Sequence, residues 1–289
     1  VGQGQRLFRT HGDLKMTIRL ALAAAAGKMG RAIVAALSEQ SDLQLVAGLG
    51  RPGAENLGED VGRLAGVSEL GVPLTAQIAE AIAQADMLVD FSPADAALCH
   101  LRAAAQAQMP VVLGSTGFSA DQQKELQELS TRIPLVAAAN MSVGINVLLA
   151  LLPQVVATLG EDYDIEIIEA HHNQKRDAPS GTALALGRAA AAGRKVELEA
   201  VACWDRNGSN GLRGKGSIGF ATLRAADVVG EHSVWLAGAG ERLELTHRAS
   251  SRRNFAEGAL RAVRWLQGRP AGLYDMQDVL GLRSTPAVE

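Results

Sequence analysis

A chain of 289 residues, 47% hydrophobic and 20% charged, holds enough apolar material for one large or two medium cores, and two is the better expectation. A formal net charge of -3 with acids and bases interspersed offers no basic face to a phosphate polymer, so nucleic acid is not expected as a partner. The apolar stretches near residues 20–26 and 147–152 fall far short of the roughly 20 residues that a bilayer crossing needs, so no membrane span is expected.

Cys99 and Cys203 lie far apart and outside any ligand spacing. They are expected to be reduced core thiols, with no disulfide framework and no metal site. Residues 1–15 are polar, carry Gly2, Gly4 and Gly12, and lack the apolar centre of a secretory leader. They read as a disordered extension, with Met16 at the start of the folded unit and a cytoplasmic location for the protein.

In chain order, residues 18–23 form a short apolar run followed at once by Gly27 and Gly30, the pattern of a buried strand entering a tight turn. Met29, Ile33, Val34 and Leu37 then recur at helical spacing, and a second strand is predicted at 43–49. The alternation continues with strands at 87–91, 111–113 and 135–139, and with helices after Pro93 and after Ser119. Ser119 and Gln122 fit a capping box. Strands alternating with helices require right-handed crossovers and predict an α/β unit, a Rossmann-like doubly wound parallel sheet.

Beyond it the pattern changes to a long apolar helix at 144–159 and strands at 164–170, 216–223, 231–236 and 242–246. Little helix separates the last three, which predicts a second α+β domain on a mixed or antiparallel sheet. A final helix at 254–267, with Phe255, Ala259, Val263 and Leu266 on one side, is expected to return to the first domain. The expected division is a dinucleotide-binding domain at 16–142, a substrate-binding and oligomerisation domain at 143–252, and a returning segment at 253–289.

The first strand-to-helix turn reads Ala24-Ala25-Ala26-Gly27-Lys28-Met29-Gly30. Its position suits a glycine-rich loop whose amides approach a pyrophosphate at a helix N-terminus. The match is incomplete, because Ala24 and Ala26 stand where glycines are usual, and a plain packing turn would look similar. Twenty positions on, where an NAD enzyme offers an acid to the ribose, the chain has Gly50-Arg51. Nothing there repels a 2′-phosphate and Arg51 is placed to pair with it, so NADPH is expected to serve at least as well as NADH.

The densest chemistry lies between Glu169 and Thr182, in the run Glu169-Ala170-His171-His172-Asn173-Gln174-Lys175-Arg176-Asp177-Ala178-Pro179-Ser180-Gly181-Thr182. Ser180 is a credible N-cap, and the Gly181 and Thr182 amides open the next helix as an anion site. With Lys175 and His172 nearby, the arrangement suits a small dicarboxylate, and because histidine as a residue type exchanges protons near neutral pH, His171 is the candidate for proton exchange. Each residue alone could be an ordinary surface group; their concentration before a capped helix sets them apart. Zinc is disfavoured, since adjacent strand residues point to opposite faces and no third ligand is evident.

These segments carry a resemblance. With Asp90-Phe91-Ser92-Pro93, Gly114-Ser115-Thr116-Gly117-Phe118, Ala138-Ala139-Asn140-Met141-Ser142-Val143-Gly144 and Ser251-Arg252, the chain resembles the 4-hydroxy-tetrahydrodipicolinate reductase (dihydrodipicolinate reductase) family over about residues 18–282. The resemblance implies His171 as proton donor or acceptor and Lys175 as proton donor. It implies His172, Ser180, Gly181, Thr182 and Arg252 around the substrate. It places Ala24, Ala25, Ala26, Gly27, Lys28, Met29, Gly50, Arg51, Gly114, Ser115, Thr116, Ala138, Ala139, Asn140 and Met141 around NADPH or NADH. A homotetramer joined through the second sheet and a hinge between the domains are also implied.

Three departures bear on the cofactor. Ala24 adds a methyl group where family members open the loop with glycine, Lys28 replaces the usual arginine and loses its fork, and Gly50 removes the common acidic ribose contact. Two rival readings are a different small-molecule dehydrogenase on this fold, which would need another nucleophile or acid, and a nucleotide-binding sensor without turnover, which would not need His171 or Lys175.

Overall fold

The computed structural model describes residues 17–208 and 211–283. The predicted extension at 1–15, Met16, and the last residues of the predicted returning segment lie outside them.

The first unit alternates as expected. It runs β1 (Ile18–Ala23), α1 (Lys28–Leu37), β2 (Leu43–Leu49), α2 (Val61–Ala65), β3 (Leu74–Thr75), α3 (Ile78–Gln84), β4 (Met87–Asp90), α4 (Ala94–Gln106), β5 (Val111–Leu113), α5 (Ala120–Ser130) and β6 (Pro134–Ala137). Leu20, Leu22, Leu88 and Val89 are sealed from solvent, as a strand covered on both faces requires. At Ser119 the capping box forms in both directions: the Gln122 amide donates to Ser119 Oγ, and the Ser119 amide donates to Gln122 Oε1 at 2.9 Å.

The second unit contains α6 (Val143–Leu159), β7 (Asp164–His171), α7 (Gly181–Gly193), α8 (Leu198–Val201), β8 (Ala202–Cys203), β9 (Ile218–Arg224), β10 (Gly230–Gly238) and β11 (Glu241–Ala249). Its sheet runs β11-β10-β7-β9-β8 and is mixed: β10 is antiparallel to both β7 and β11, whereas β9 is parallel to β7 and β8. Helices α6 and α7 cover one face, where Leu152, Val156, Ile167, Leu186 and Val234 form the core.

The chain then forms α9 (Arg253–Leu266), β12 (Gly272–Tyr274) and α10 (Met276–Leu280). Strand β12 extends the first sheet beside β6, giving the parallel order β12-β6-β5-β4-β1-β2-β3. The buried stripe of α9 is broader than predicted and centres on Ala256, Ala259, Leu260, Val263 and Leu266, with Phe255 at its margin. Two arginine forks fasten α9 to the end of α1 and the start of β2: Arg264 to Asp42 at 2.7 and 2.8 Å, and Arg253 to Glu39 at 2.8 Å and 2.5 Å.

Since β2 and β3 lie on one side of β1 and β4 on the other, the strand order reverses between β1 and β4. Ligands of open α/β sheets bind at that crevice, beyond the carboxyl ends of the strands. One expectation is corrected: Cys99 is exposed on α4 and Cys203 half-buried, so neither is a core thiol. Helical and strand periodicity left their positions open.

Candidate active site

The loops after β1, β4, β5 and β6 all emerge at the carboxyl edge of the parallel sheet. The first turns sharply: the Gly27 amide donates to the Ala24 carbonyl at 2.9 Å, and the Ala25 amide to the Leu49 carbonyl at 3.0 Å. A Cβ on Gly30 would stand 2.2 Å from the Ala24 carbonyl oxygen and 2.5 Å from that of Ala25, so only glycine lets α1 start this close to the strand. Helix α1 has Gly27 as its N-cap, with no side chain accepting from its amides and no acid in its first turn. Its terminal N–H groups and partial positive charge are therefore available to a phosphate. Ala24 sits at φ +54, a left-handed conformation that glycine adopts far more readily. Ala25 is fully buried beneath the loop and Lys28 is exposed at the mouth of α1.

On the second strand, the Gly50 amide donates to the Thr75 carbonyl at 2.8 Å, and Arg51 is exposed beside it. Gly114 receives the Phe91 ring so closely that a Cβ would come within 2.1 Å of it. Ser115 Oγ is buried with no hydrogen-bond partner among the described residues. An orphaned hydroxyl, uncapped helical amides and a glycine that tolerates no Cβ fit a dinucleotide. Asp90, wholly buried at the end of β4, accepts from the Ser92 amide at 2.7 Å and pairs with His100 Nδ1 at 2.8 Å, fixing the turn that carries Phe91.

Facing these loops is the segment between β7 and α7. Ser180 caps α7, accepting from the Ala183 amide at 3.2 Å, and His232 Nε2 lies 3.0 Å from the same hydroxyl. The Ala178-Pro179 peptide ahead of it is cis. Lys175 Nζ pairs with Asp177 at 2.9 Å. Glu169, 1% exposed, bonds His171 Nδ1, receives the Arg224 guanidinium at 2.9 and 3.0 Å, and accepts from the Ser180 amide at 3.2 Å. Burial alone would raise its pKa; the hydrogen bonds from His171 and Arg224 outweigh that and bring it down to about 2. His232 is pushed down to about 4, chiefly by burial and then by the charge of His171.

One cleft of about 490 Å³ joins the two sides. His171, Lys175, Ser180, Gly181 and Thr182 line it from one side, and Thr116, Ala138, Ala139 and Asn140 from the other. A neighbouring cavity of about 550 Å³ shares Thr116, Ala138 and Ala139 and reaches Ser115. Lys28 and Arg252 lie outside the cleft lining, yet both press on His172, whose pKa is lowered first by burial and then by Lys28, Arg252, His171 and Lys175. His172 Nδ1 is buried with no hydrogen-bond partner among the described residues. This concentration of positive charge suits a ligand bearing carboxylates.

Met141 is placed differently from its neighbours. It is 1% exposed, its side chain joins the core, and its carbonyl oxygen would lie 1.8 Å from a Cβ on Gly258 of α9. The sequence reading missed Glu169, Arg224 and His232 as members of the site, and also Asp275, Met276 and Gln277, which bring the start of α10 to the cleft. Glu169 stood within the singled-out motif; the others carried no local mark.

A dinucleotide-type sheet, a second α+β unit and a cleft between them carrying His171 and Lys175 are the architecture of a dinucleotide-dependent oxidoreductase. Two family descriptions, "Dihydrodipicolinate reductase, N-terminus" and "Dihydrodipicolinate reductase, C-terminus", match residues 18–141 and 144–280. The chain belongs to the dihydrodipicolinate reductase family. It is 50% identical over 266 residues to the 4-hydroxy-tetrahydrodipicolinate reductase of Burkholderia ambifaria (strain MC40-6), covering 92% of this chain and 100% of that protein. Identity to the protein of the same name from Thiobacillus denitrificans is 48% over 268 residues, with 93% and 100% covered. Among solved structures, dipicolinate-bound dihydrodipicolinate reductase from Paenisporosarcina sp. TG-14 has the same fold, with a TM-score of 0.71 at 23% identity, covering 91% of this chain and 99% of that one.

Proposed function

We propose that this chain reduces 4-hydroxy-tetrahydrodipicolinate, by way of the dihydro ring formed on loss of water, to tetrahydrodipicolinate in diaminopimelate and lysine biosynthesis. The observation that carries the reading is that His171, Lys175 and the first turn of α7 face Thr116 and Ala138–Asn140 across one cleft.

When bound, reduced NADPH or NADH supplies the hydride. The residues that would hold the cofactor are Ala24 to Met29 around the α1 terminus, Gly50 and Arg51 at the end of β2, Gly114 to Thr116, and Ala138 to Asn140, with Met141 contributing only backbone. The Gly181 and Thr182 amides, with Ser180 capping them, hold one carboxylate of the substrate. His172 and Arg252, with Lys28 near them, hold the other. Hydride arrival leaves negative charge on the neighbouring ring atom, and Lys175 and His171 are the groups that deliver a proton to it. Asp177, 2.9 Å from the Lys175 ammonium, holds it in place until the substrate enters.

In this reading residues 16–142 form the cofactor domain, 143–252 the substrate domain, and the segment from 253 onward braces the first. A hinge near Ser142 and Arg252 closes the cleft and excludes water. The sheet face bearing Ile168, Leu223 and Trp235 is turned away from α6 and α7, and Leu223 is 56% exposed, which supports a homotetramer built on that sheet. Among the described residues no helix is long and apolar enough to cross a membrane, and the reading places the enzyme in the cytoplasm.

The test is to generate the unstable substrate in situ and follow nicotinamide absorbance with each coenzyme. Substrate-dependent oxidation is the expected result. Binding of NADPH without oxidation under those conditions would instead mark a sensor.

A further inference from the structure

Glu169 and His171 are two residues apart on β7, so both side chains point to the face covered by α6 and α7, beside the fully buried Ile167. A carboxylate there persists only when it is paired. Every partner it finds is a donor. Arg224 of β9 grips both oxygens, the Ser180 amide at the start of α7 donates to Oε1, and Oε2 bonds His171 Nδ1. Arg224 is itself fixed, since it also donates to the Asp177 carbonyl at 2.6 Å.

An ionised carboxylate only accepts hydrogen bonds, so the imidazole nitrogen facing it must carry a hydrogen. That leaves Nε2 as the nitrogen that gains and loses a proton. Nε2 lies over Gly230, the residue opposite His171 on β10, where a Cβ would stand 3.1 Å away. Glycine keeps that side of the ring open, and His171 lines the cleft. The other charged or titratable groups around the ring are the adjacent His172, Lys175 and Asp177 from the loop, and His232 of β10, whose ring meets that of His171 edge to face at 5.1 Å.

We propose that Glu169, anchored by Arg224 and the Ser180 amide, is a positioning residue that holds His171 as the Nδ1–H tautomer and so directs proton exchange to Nε2. The proposal rests on His171 exchanging a proton in the reaction. When His171 acts as an acid, the Nε2–H bond breaks, the proton goes to the reduced ring, and the neutral imidazole keeps the hydrogen that Glu169 accepts. A glutamine at 169 has an amide that donates as well as accepts, and so admits the opposite tautomer.

The experiment compares Glu169→Gln, His171→Gln and the double variant in turnover and in NADPH affinity. Glu169→Gln is expected to lower kcat on the order of 10–100-fold with NADPH affinity unchanged. In the His171→Gln background the same change is expected to cost nothing further. Equal losses in both backgrounds overturn the proposal while leaving His171 catalytic; an unchanged kcat in His171→Gln removes the reading on which the proposal stands. Should Glu169→Gln fail to fold, ¹⁵N chemical shifts of the His171 ring in the unaltered protein decide the matter. A hydrogen on Nδ1 and a bare Nε2 in the neutral ring support it, and the reverse tautomer overturns it.

Discussion

The Asn140 side-chain amide donates to Thr182 Oγ1 at 3.0 Å, tying the loop after β6 to the first turn of α7 across the cleft. Asn140 is itself held on both sides, because its Oδ1 accepts from the Ser142 amide at 2.8 Å and its carbonyl from Asn146 Nδ2 at 2.9 Å. One residue thus ties together the loop after β6, the start of α6 and the first turn of α7. Asn140→Ala removes both side-chain hydrogen bonds, of which the one across the cleft to Thr182 is worth about 1 kcal/mol, roughly a fivefold change. That loss is expected in the coupling between NADPH and a dicarboxylate analogue, measured as the ratio of analogue Kd with and without coenzyme. An unchanged ratio would show that the strut carries no coupling.

The proton-transfer roles separate binding from turnover. Lys175→Ala is expected to depress kcat severely while NADPH affinity, read by fluorescence titration, stays put. His171→Ala is expected to cost about 10²-fold or more, the usual scale for a lost acid or base. Wild-type steady-state rates in either variant would count against the assigned role.

In the proposed reading, coenzyme preference turns on the end of β2. With Gly50 in place of a carboxylate and Arg51 exposed beside it, Arg51→Ala is expected to weaken NADPH more than NADH. Parallel titrations with the two coenzymes check this; equal losses would show that Arg51 does not read the 2′-phosphate.

Ala24 occupies a left-handed conformation at φ +54, which costs an L-residue about 1–2 kcal/mol relative to glycine. Ala24→Gly is therefore expected to raise stability in denaturant titration despite glycine's greater freedom in the unfolded chain, and to tighten dinucleotide binding by clearing a methyl group from the loop. A lower unfolding midpoint together with weaker binding would contradict both expectations.

Acid sensitivity is expected from His232. Its pKa falls from 6.5 to about 4 on folding, mainly through burial, so between those values the unfolded chain binds a proton that the native protein refuses. Its contribution is complete above pH 6.5 and is lost as pH falls toward 4, by up to about 3 kcal/mol. Urea unfolding at pH 7 and pH 5 measures the loss, and His232→Asn is expected to flatten the difference. A slope unaffected by that substitution would assign the acid sensitivity to other groups.

Much of the frame was legible because its causes are local. Residues 18–30 combine an apolar run with glycines where a strand must turn into a helix, and Ser119 with Gln122 closes a capping box within four residues. The stretch from Glu169 to Thr182 likewise carries its chemistry in one continuous run, so His171, Lys175 and the α7 terminus could be picked out together. The two-residue strand β3 and the three-residue β12 left no periodic trace, being too short to show alternation.

What residue order determined was which segments become strands and helices and which of them carry donors and charge, since propensity, capping and apolar period act over a few positions. Tertiary structure decided the partnerships made at a distance: Arg224 reaching Glu169 from 55 residues away, Thr182 reaching Asn140 from 42, and α10 arriving at the cleft. Those contacts depend on strand order in two sheets and on how α9 and β12 return to the first, and neither is encoded at any single stretch of chain. A carboxylate in a predicted strand looks the same whether it faces water or a buried imidazole. Only the packing of β9 and β10 against β7 made Glu169 a buried acceptor, because a charge in an apolar interior persists only where its donors are brought to meet it.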